Sequence, residues 1–121
     1  MVTLEGVEPN MIANNLEPFY NTHPGEILKD EIEFRGISQR ELAKHIGVPV
    51  SQLNEMLNGK RKLNTEMAML LCAALELDAA PLLKMQMEYD ILEAKRNPTF
   101  MQRILTLGDW ARDMRKVAAV L

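Results

Sequence analysis

Four polar side chains fall close together in the sequence, and three of them end in an amide or a carboxylate. Such groups donate to and accept from the edges of base pairs in the DNA major groove. Three consecutive cations follow shortly afterwards, where they could meet phosphates. The polar residues are Ser51, Gln52, Asn54 and Glu55, and the cations are Lys60, Arg61 and Lys62. This spacing indicates nucleic-acid recognition, and the alternative is the solvated face of an ordinary helical hairpin.

Residues 38–59 must position these groups, and their pattern predicts two short helices joined by a tight turn. Ser38 is a good N-cap, and Glu41 three residues later completes a capping box. Gly47 stands where a left-handed C-cap glycine belongs. Apolar residues recur at helical spacing on both helices: Leu42, Ala43 and Ile46, then Leu53, Met56 and Leu57. Two such helices with a glycine in the turn are the signature of a helix-turn-helix.

Three further helices complete an all-α domain predicted over residues 23–96. The first begins at His23, with a proline in its first turn, and ends at Gly36. Asn64 and Asp78 are expected to cap the other two. The predicted inward residues are Ile27, Leu28 and Ile32, then Met67, Leu70, Leu71, Ala74 and Leu75, and finally Leu82, Met85, Tyr89 and Leu92.

Residues 1–22 are predicted to form an N-terminal arm, because prolines and asparagines interrupt any helical period there. The arm nevertheless carries apolar anchors, which a purely disordered tail would lack. These anchors include Met11, Ile12, Phe19 and Tyr20. The arm therefore packs on its own domain or on a dimer mate, or it is ordered by a partner protein.

Residues 97–121 are predicted to form a helical extension of one helix or two, since Gly108 can end a helix and Asp109 can cap the next. Apolar residues recur there at alternating steps of four and three, which is a near-heptad stripe. The stripe consists of Phe100, Ile104, Leu107, Ala111, Met114 and Ala118. It must be buried either on its own domain or in a homodimer contact, for which Phe100, Ile104, Leu107 and Met114 are the candidates.

The net charge of −3 argues at first against nucleic acid, but its distribution argues for it. Residues 1–37 carry two basic and seven acidic side chains, whereas residues 38–62 carry five basic and two acidic ones. The remaining residues have a net charge of −1. The predicted hairpin is therefore the basic segment of an acidic chain, and the local footprint matters more than the total charge.

Composition and spacing argue against several other classes of protein. No phosphate-binding loop, nucleotide fingerprint or metal-ligand spacing occurs, so no cofactor, no metal site and no enzymatic activity are expected. No apolar run approaches the roughly 20 residues of a membrane span. The single cysteine, Cys72, lies in an apolar helical stretch and is expected in the core. It precludes an internal disulfide, which fits a cytoplasmic protein.

The segment from residue 23 to about residue 96 resembles the HigA-type antitoxins of the Xre, lambda-repressor-like helix-turn-helix family. The matching pieces are HPGEIL at 23–28, SQRELA at 38–43, NGKRKL at 58–63 and MEYDILEAK at 87–95. The resemblance implies a lambda-repressor-like five-helix domain and a DNA-binding antitoxin. Such a protein neutralises a small basic ribonuclease toxin of the RelE or HigB type and represses its own operon. Two other functions remain open: a stand-alone repressor without a toxin, and a protein-interaction module that has lost DNA binding.

Individual side chains are expected to contact DNA bases, DNA phosphates or the toxin. Ser51, Gln52 and Glu55 are expected to read bases, with Asn54 secondary, and Gln39, Lys44, Asn58, Lys60 and Arg61 to bind phosphates. Family similarity places Val50 where other members carry a base-reading glutamine, and a valine can make only an apolar contact there. A homodimer is expected, because one hairpin contacts too few base pairs for a specific site. The acidic arm, through Met11, Ile12, Phe19 and Tyr20, is the predicted toxin contact.

Overall fold

The computed structural model describes residues 20–120, and this part of the chain contains six α-helices and no β-strand. The prediction of an all-α fold is confirmed. The six helices are α1 (Pro24–Phe34), α2 (Gln39–Ile46), α3 (Val50–Leu57), α4 (Thr65–Leu75), α5 (Ala79–Lys95) and α6 (Pro98–Val120). The C-terminal extension is one continuous helix, and Gly108 lies inside it rather than ending it.

The hydrophobic core lies among the first five helices. Helix α3 packs against α1 and α2, α4 packs against α2 and α5, and α5 also contacts α1. The fully buried side chains include Leu28, Ile32, Leu53, Met56, Leu57, Leu71 and Leu75. Helix α6 packs against α5 but contributes no buried residue. The domain that holds the helix-turn-helix is thus complete without α6.

The helix ends follow their capping residues. The Ser38 hydroxyl accepts a hydrogen bond from the Glu41 amide at 3.3 Å, and Gly47 adopts the left-handed conformation with φ 79°. Asn64 and Asp78 cap α4 and α5 as predicted. The capping box predicted at Ser38 is only half formed, because the Glu41 carboxylate turns to Nε2 of His45, 3.5 Å away.

Some predicted inward faces are rotated in the structure. Ile27, Leu70 and Ala74 are exposed, and α4 instead buries Ala68 and Cys72 beside Met67, Leu71 and Leu75. The reason is that α4 is apolar on most of its circumference, so that periodicity alone does not fix which side meets the core. The expectation that Cys72 is a core residue is confirmed.

The start of α1 is docked closely on the end of α3. A methyl group at Gly25 would overlap the backbone carbonyl of Met56, so glycine is needed for this approach. A complete capping box closes the helix start, because Nδ1 of His23 accepts from the Gly25 amide at 2.8 Å while the Glu26 carboxylate accepts from the His23 amide at 3.1 Å. This junction fixes α1 relative to the helix-turn-helix.

Candidate nucleic-acid interface

Helix α3 presents one buried side and one polar side. Leu53, Met56 and Leu57 anchor it in the core. On the opposite side Ser51, Asn54 and Glu55 are exposed and Gln52 is half-buried, so the structure places the four predicted base-reading residues on one accessible helix. Val50, at the first helical position, is also exposed. An α-helix of this shape fits the width of a major groove.

A chain of hydrogen bonds joins three helices across this surface. Nζ of Lys29 donates to Oδ1 of Asn58 at 3.0 Å, and Nδ2 of Asn58 donates to Oδ1 of Asn54 at 3.1 Å. Nδ2 of Asn54 in turn donates to Oε1 of Gln39 at 3.1 Å. Because Oε1 of Gln39 accepts this hydrogen bond, the amide nitrogen of Gln39 is the polar atom of that side chain left to donate to a ligand at the start of α2.

The cations behind α3 are not equivalent. Arg61 donates from Nη2 and Nε to the Glu55 carboxylate, at 2.9 and 3.2 Å. The ammonium of Lys62 lies 3.5 Å from Oδ2 of Asp90 on α5. Lys44 and Lys60 are exposed, and neither forms a salt bridge with any residue between 20 and 120. Together with Arg40, which is likewise exposed and forms no salt bridge within residues 20–120, these two lysines are the cations of residues 38–62 that remain available to an anion without breaking an ion pair.

The loop between α3 and α4 is held by residues that the sequence reasoning missed. Gln86 is buried on α5, and its Oε1 accepts from the Leu63 amide at 2.8 Å while its Nε2 donates to Asp90. The His23 ring packs edge-on against Tyr89, with ring centroids 4.9 Å apart, and hydrogen-bonds with the main chain of Arg61. The signal for Gln86 was a polar residue one turn after Leu82, on the side of α5 predicted to face inward.

The predicted dimer contacts lie on α6, whereas Tyr20, a predicted toxin contact, lines a concave surface together with Asn58. Phe100, Ile104, Leu107 and Met114 are all exposed along α6. Tyr20 is exposed, and its hydroxyl donates to the Glu26 carboxylate at 2.9 Å. The remaining predicted toxin contacts, Met11, Ile12 and Phe19, lie outside the described residues.

The described part of the chain contains neither a candidate metal site nor a helix that could span a membrane. No group of three or more His, Cys, Asp or Glu side chains between residues 20 and 120 could hold a metal ion. None of the helices in the same range is long and apolar enough to span a membrane. The candidate ligand-binding surface is the one formed by the polar and basic groups around α2, α3 and the following loop.

Residues 28–82 match the helix-turn-helix family HTH_3. Virulence-associated protein I of Dichelobacter nodosus is 33% identical over 93 residues, which cover 76% of this chain and 86% of that protein. The chain therefore belongs to the Xre, lambda-repressor-like helix-turn-helix family. The fold is that of DNA-binding regulators, which are not enzymes.

Within that family the structural neighbours include HigA antitoxins. An addiction module antidote protein of the HigA family from Coxiella burnetii is 34% identical, with a TM-score of 0.58, over 63% of this chain and 84% of its own. The antitoxin HigA of Pseudomonas aeruginosa, solved with the higBA promoter, is 30% identical with the same TM-score of 0.58, over 62% of this chain and 83% of its own. The chain is thus a helix-turn-helix regulator of the HigA type.

Proposed function

We propose that this protein is the cytoplasmic antitoxin of a type II toxin–antitoxin module, which represses its own operon and neutralises a small basic ribonuclease toxin of the RelE or HigB type. The observation that carries the proposal is the similarity to HigA antitoxins, one of them solved with promoter DNA. The geometry supports the DNA-binding half, because α3 exposes a polar side next to unpaired lysines.

In the proposed complex α3 enters the major groove. Ser51, Gln52 and Glu55 read base edges, while Asn54 contributes mainly by positioning Gln39. The phosphate contacts are Gln39, Lys44, Asn58, Lys60 and Arg61. A two-fold dimer places two α3 helices in successive major grooves, with half-sites roughly 34 Å apart, because one hairpin covers only a few base pairs.

The toxin contact is proposed for the acidic side of the molecule. Residues 1–37 have a net charge of −5, and a ribonuclease that binds RNA is basic. Tyr20 and the carboxylates of Glu26, Asp30 and Glu33 line one concave surface of about 400 Å³ beside α1, and its remaining lining is Lys29, Leu57 and Asn58. Opposite charges steer such partners together, and the arm through Met11, Ile12, Phe19 and Tyr20 supplies apolar anchors.

The proposal is tested by inducing the product of the reading frame adjacent to this gene, with and without this protein, and measuring the growth of the cells. Rescue of growth, together with binding to the DNA upstream of the gene, is the expected result. The variant Lys60→Ala should still rescue growth while repressing poorly, because it lies outside the toxin contact. Operator binding without rescue would identify a stand-alone repressor instead, and failure of both would leave a protein-interaction module.

Deletion of residues 1–21 tests the toxin contact separately. The truncated protein should keep its helicity and its operator binding but lose most of its toxin affinity. The double variant Asp30→Lys/Glu33→Lys, whose side chains lie on the exposed side of α1, measures the contribution of the helix itself. If the truncated protein still neutralises the toxin while the double variant does not, the contact lies on α1 rather than on the arm.

A further inference from the structure

Helix α6 is a long helix whose apolar stripe is uncovered. It spans 23 residues, or roughly 35 Å. Phe100 and Ile104 are 40% and 42% exposed, and every residue from 109 to 120 is exposed. A helix of this length gains its stability in water mainly from packing of its apolar side. The stripe therefore requires a partner.

The stripe is arranged symmetrically about residue 109. Phe100 and Ala118 lie at equal distances from it, as do Ile104 and Met114, and Leu107 and Ala111. When two such helices run in opposite directions, each of these pairs forms one layer of the interface. Two of the three layers then join a large side chain to an alanine, so that the helices approach evenly along their length. A parallel pair would instead stack Phe100 on Phe100 and Ala111 on Ala111, which gives layers of very unequal width.

The charged residues that flank the stripe are compatible with antiparallel pairing of two α6 helices. In an antiparallel pair each flanking residue meets a partner residue that flanks the stripe on the same side. Arg103 therefore lies near the partner's Val117, and Arg115 lies near the partner's Met101. No two like charges face each other at these flanking positions, where charged pairs normally select the partner and its orientation. The two Gly108 residues approach each other near the two-fold axis, where a Cβ would meet only an arginine side chain of its own helix.

A groove between α5 and α6 lies where the C-terminal end of the partner's α6 would pack. Ile91 and Ala94 of α5, with Phe100, Met101 and Ile104 of α6, line an open apolar concavity of about 400 Å³. In the antiparallel register the partner's Met114 and Ala118 lie opposite Ile104 and Phe100, at this groove. Asp90 and Lys95 also line the groove, and Asp90 is the carboxylate there that the partner's Arg115 would approach.

We propose that α6 pairs antiparallel with α6 of a second copy of this chain, centred at residue 109, and that the end of each helix fills the α5–α6 groove of the other. This pairing rests on the two-fold dimer of the proposed function and specifies its interface. It places both helix-turn-helix units outside the contact, because α3 takes no part in it.

Sedimentation of two neighbouring charge variants tests the interface. Ile104→Glu puts a carboxylate into a layer, and burial of an unpaired charge should weaken the dimer by at least about 100-fold. Leu105→Glu is the matched control, because Leu105 is 60% exposed and lies outside the stripe. The Ile104 variant should sediment as a monomer whose first five helices remain folded, and the Leu105 variant as a dimer. A dimeric Ile104 variant would overturn the proposal.

Cysteine cross-linking tests the direction of pairing. Ile104→Cys and Met114→Cys should form a disulfide-linked dimer when the two variants are mixed, and neither should do so alone. Cys72 does not interfere, since it is buried and burial raises the pKa of its thiol. Cross-linking of either variant alone, or of no combination, would overturn the antiparallel register.

Operator binding separates this proposal from the proposed function. If the wild-type protein binds the operator as a dimer and the Ile104→Glu variant does the same, the α6 interface is wrong while the regulator function stands. If the wild-type protein binds no operator but the mixed cysteine variants still cross-link, the function is wrong and the interface stands.

Discussion

Arg61 donates from both Nε and Nη2 to one oxygen of Glu55, and this pair ties the loop after α3 to the outward side of that helix. Both side chains are about half exposed, so the ion pair itself stabilises the fold by at most about 1 kcal/mol. The main effect of the ion pair is to position the Glu55 side chain. Glu55, a proposed base-reading residue, is held in one place before any DNA arrives.

Arg61→Ala should therefore weaken binding to the operator more than binding to random DNA, because the freed Glu55 no longer meets its base in a fixed position. Lys60→Ala is the matched control, since Lys60 is adjacent and forms no salt bridge among the described residues. It should weaken both kinds of DNA alike and lower the salt dependence of log K by about 1. Titrations over a series of salt concentrations measure both effects. Equal behaviour of the two variants would mean that Arg61 serves only as a phosphate contact and does not position Glu55.

Gln52→Ala should cost about 1–3 kcal/mol on operator DNA and much less on random DNA, because an amide that pairs with a base edge carries sequence information. Gln102→Ala serves as the control, since Gln102 is exposed on α6 and distant in sequence from α3. Binding isotherms on the operator and on a scrambled duplex measure the difference. An equal loss of affinity on both duplexes would exclude Gln52 as a base-reading residue.

The fold could be predicted to the level of its helices because local signals agreed. Ser38, Gly47, Asn64 and Asp78 end or begin helices where their side chains or backbone freedom require it. The rotation of α4 could not be predicted, because nearly every residue from Met67 to Leu75 is apolar. Only contact with α2 and α5 decides that Ala68 faces inward and Leu70 outward.

The candidate site could be predicted in its residue types but not in its connections. Gln39 and Asn54 were both singled out, yet the hydrogen bond between them joins two helices, and their separation of 15 residues gives no hint of it. The pairing of Glu55 with Arg61 depends on the path of the loop after Gly59, which has a left-handed backbone at φ 77°. Gln86 was missed because its partner, the Leu63 amide, is a backbone group in that loop.

Gly25→Ala should destabilise the protein by about 2–3 kcal/mol, because the added methyl group overlaps the Met56 carbonyl and forces α1 away from α3. Gly36→Ala is the control. Gly36 has φ 69° and open surroundings, so its replacement should cost only about 1 kcal/mol of left-handed strain. Urea denaturation of both variants gives the comparison. If Gly25→Ala lowered the stability no more than Gly36→Ala does, the contact between the start of α1 and the end of α3 would be able to relax.

His23 should make the stability of the fold depend on pH. His23 is 3% exposed, and burial lowers the pKa of the imidazole below its ordinary value of 6.5, although the Arg61 main chain, Glu26 and Asp90 act in the opposite direction. Protonation also places a hydrogen on Nδ1, which now accepts from the Gly25 amide. Because the unfolded chain binds this proton more readily, the stabilisation is complete above pH 6.5 and is lost as the pH falls through the lower pKa of the folded state.

Denaturation at a series of pH values between about 7.5 and 5 measures this effect, since the unfolded imidazole titrates near 6.5. The wild-type protein should lose stability toward the acid end of that range. His23→Asn retains a capping side chain without a titrating ring, so its stability should change less over the same range. A His23→Asn profile as steep as that of the wild-type protein would show that the buried ring is not the group that titrates.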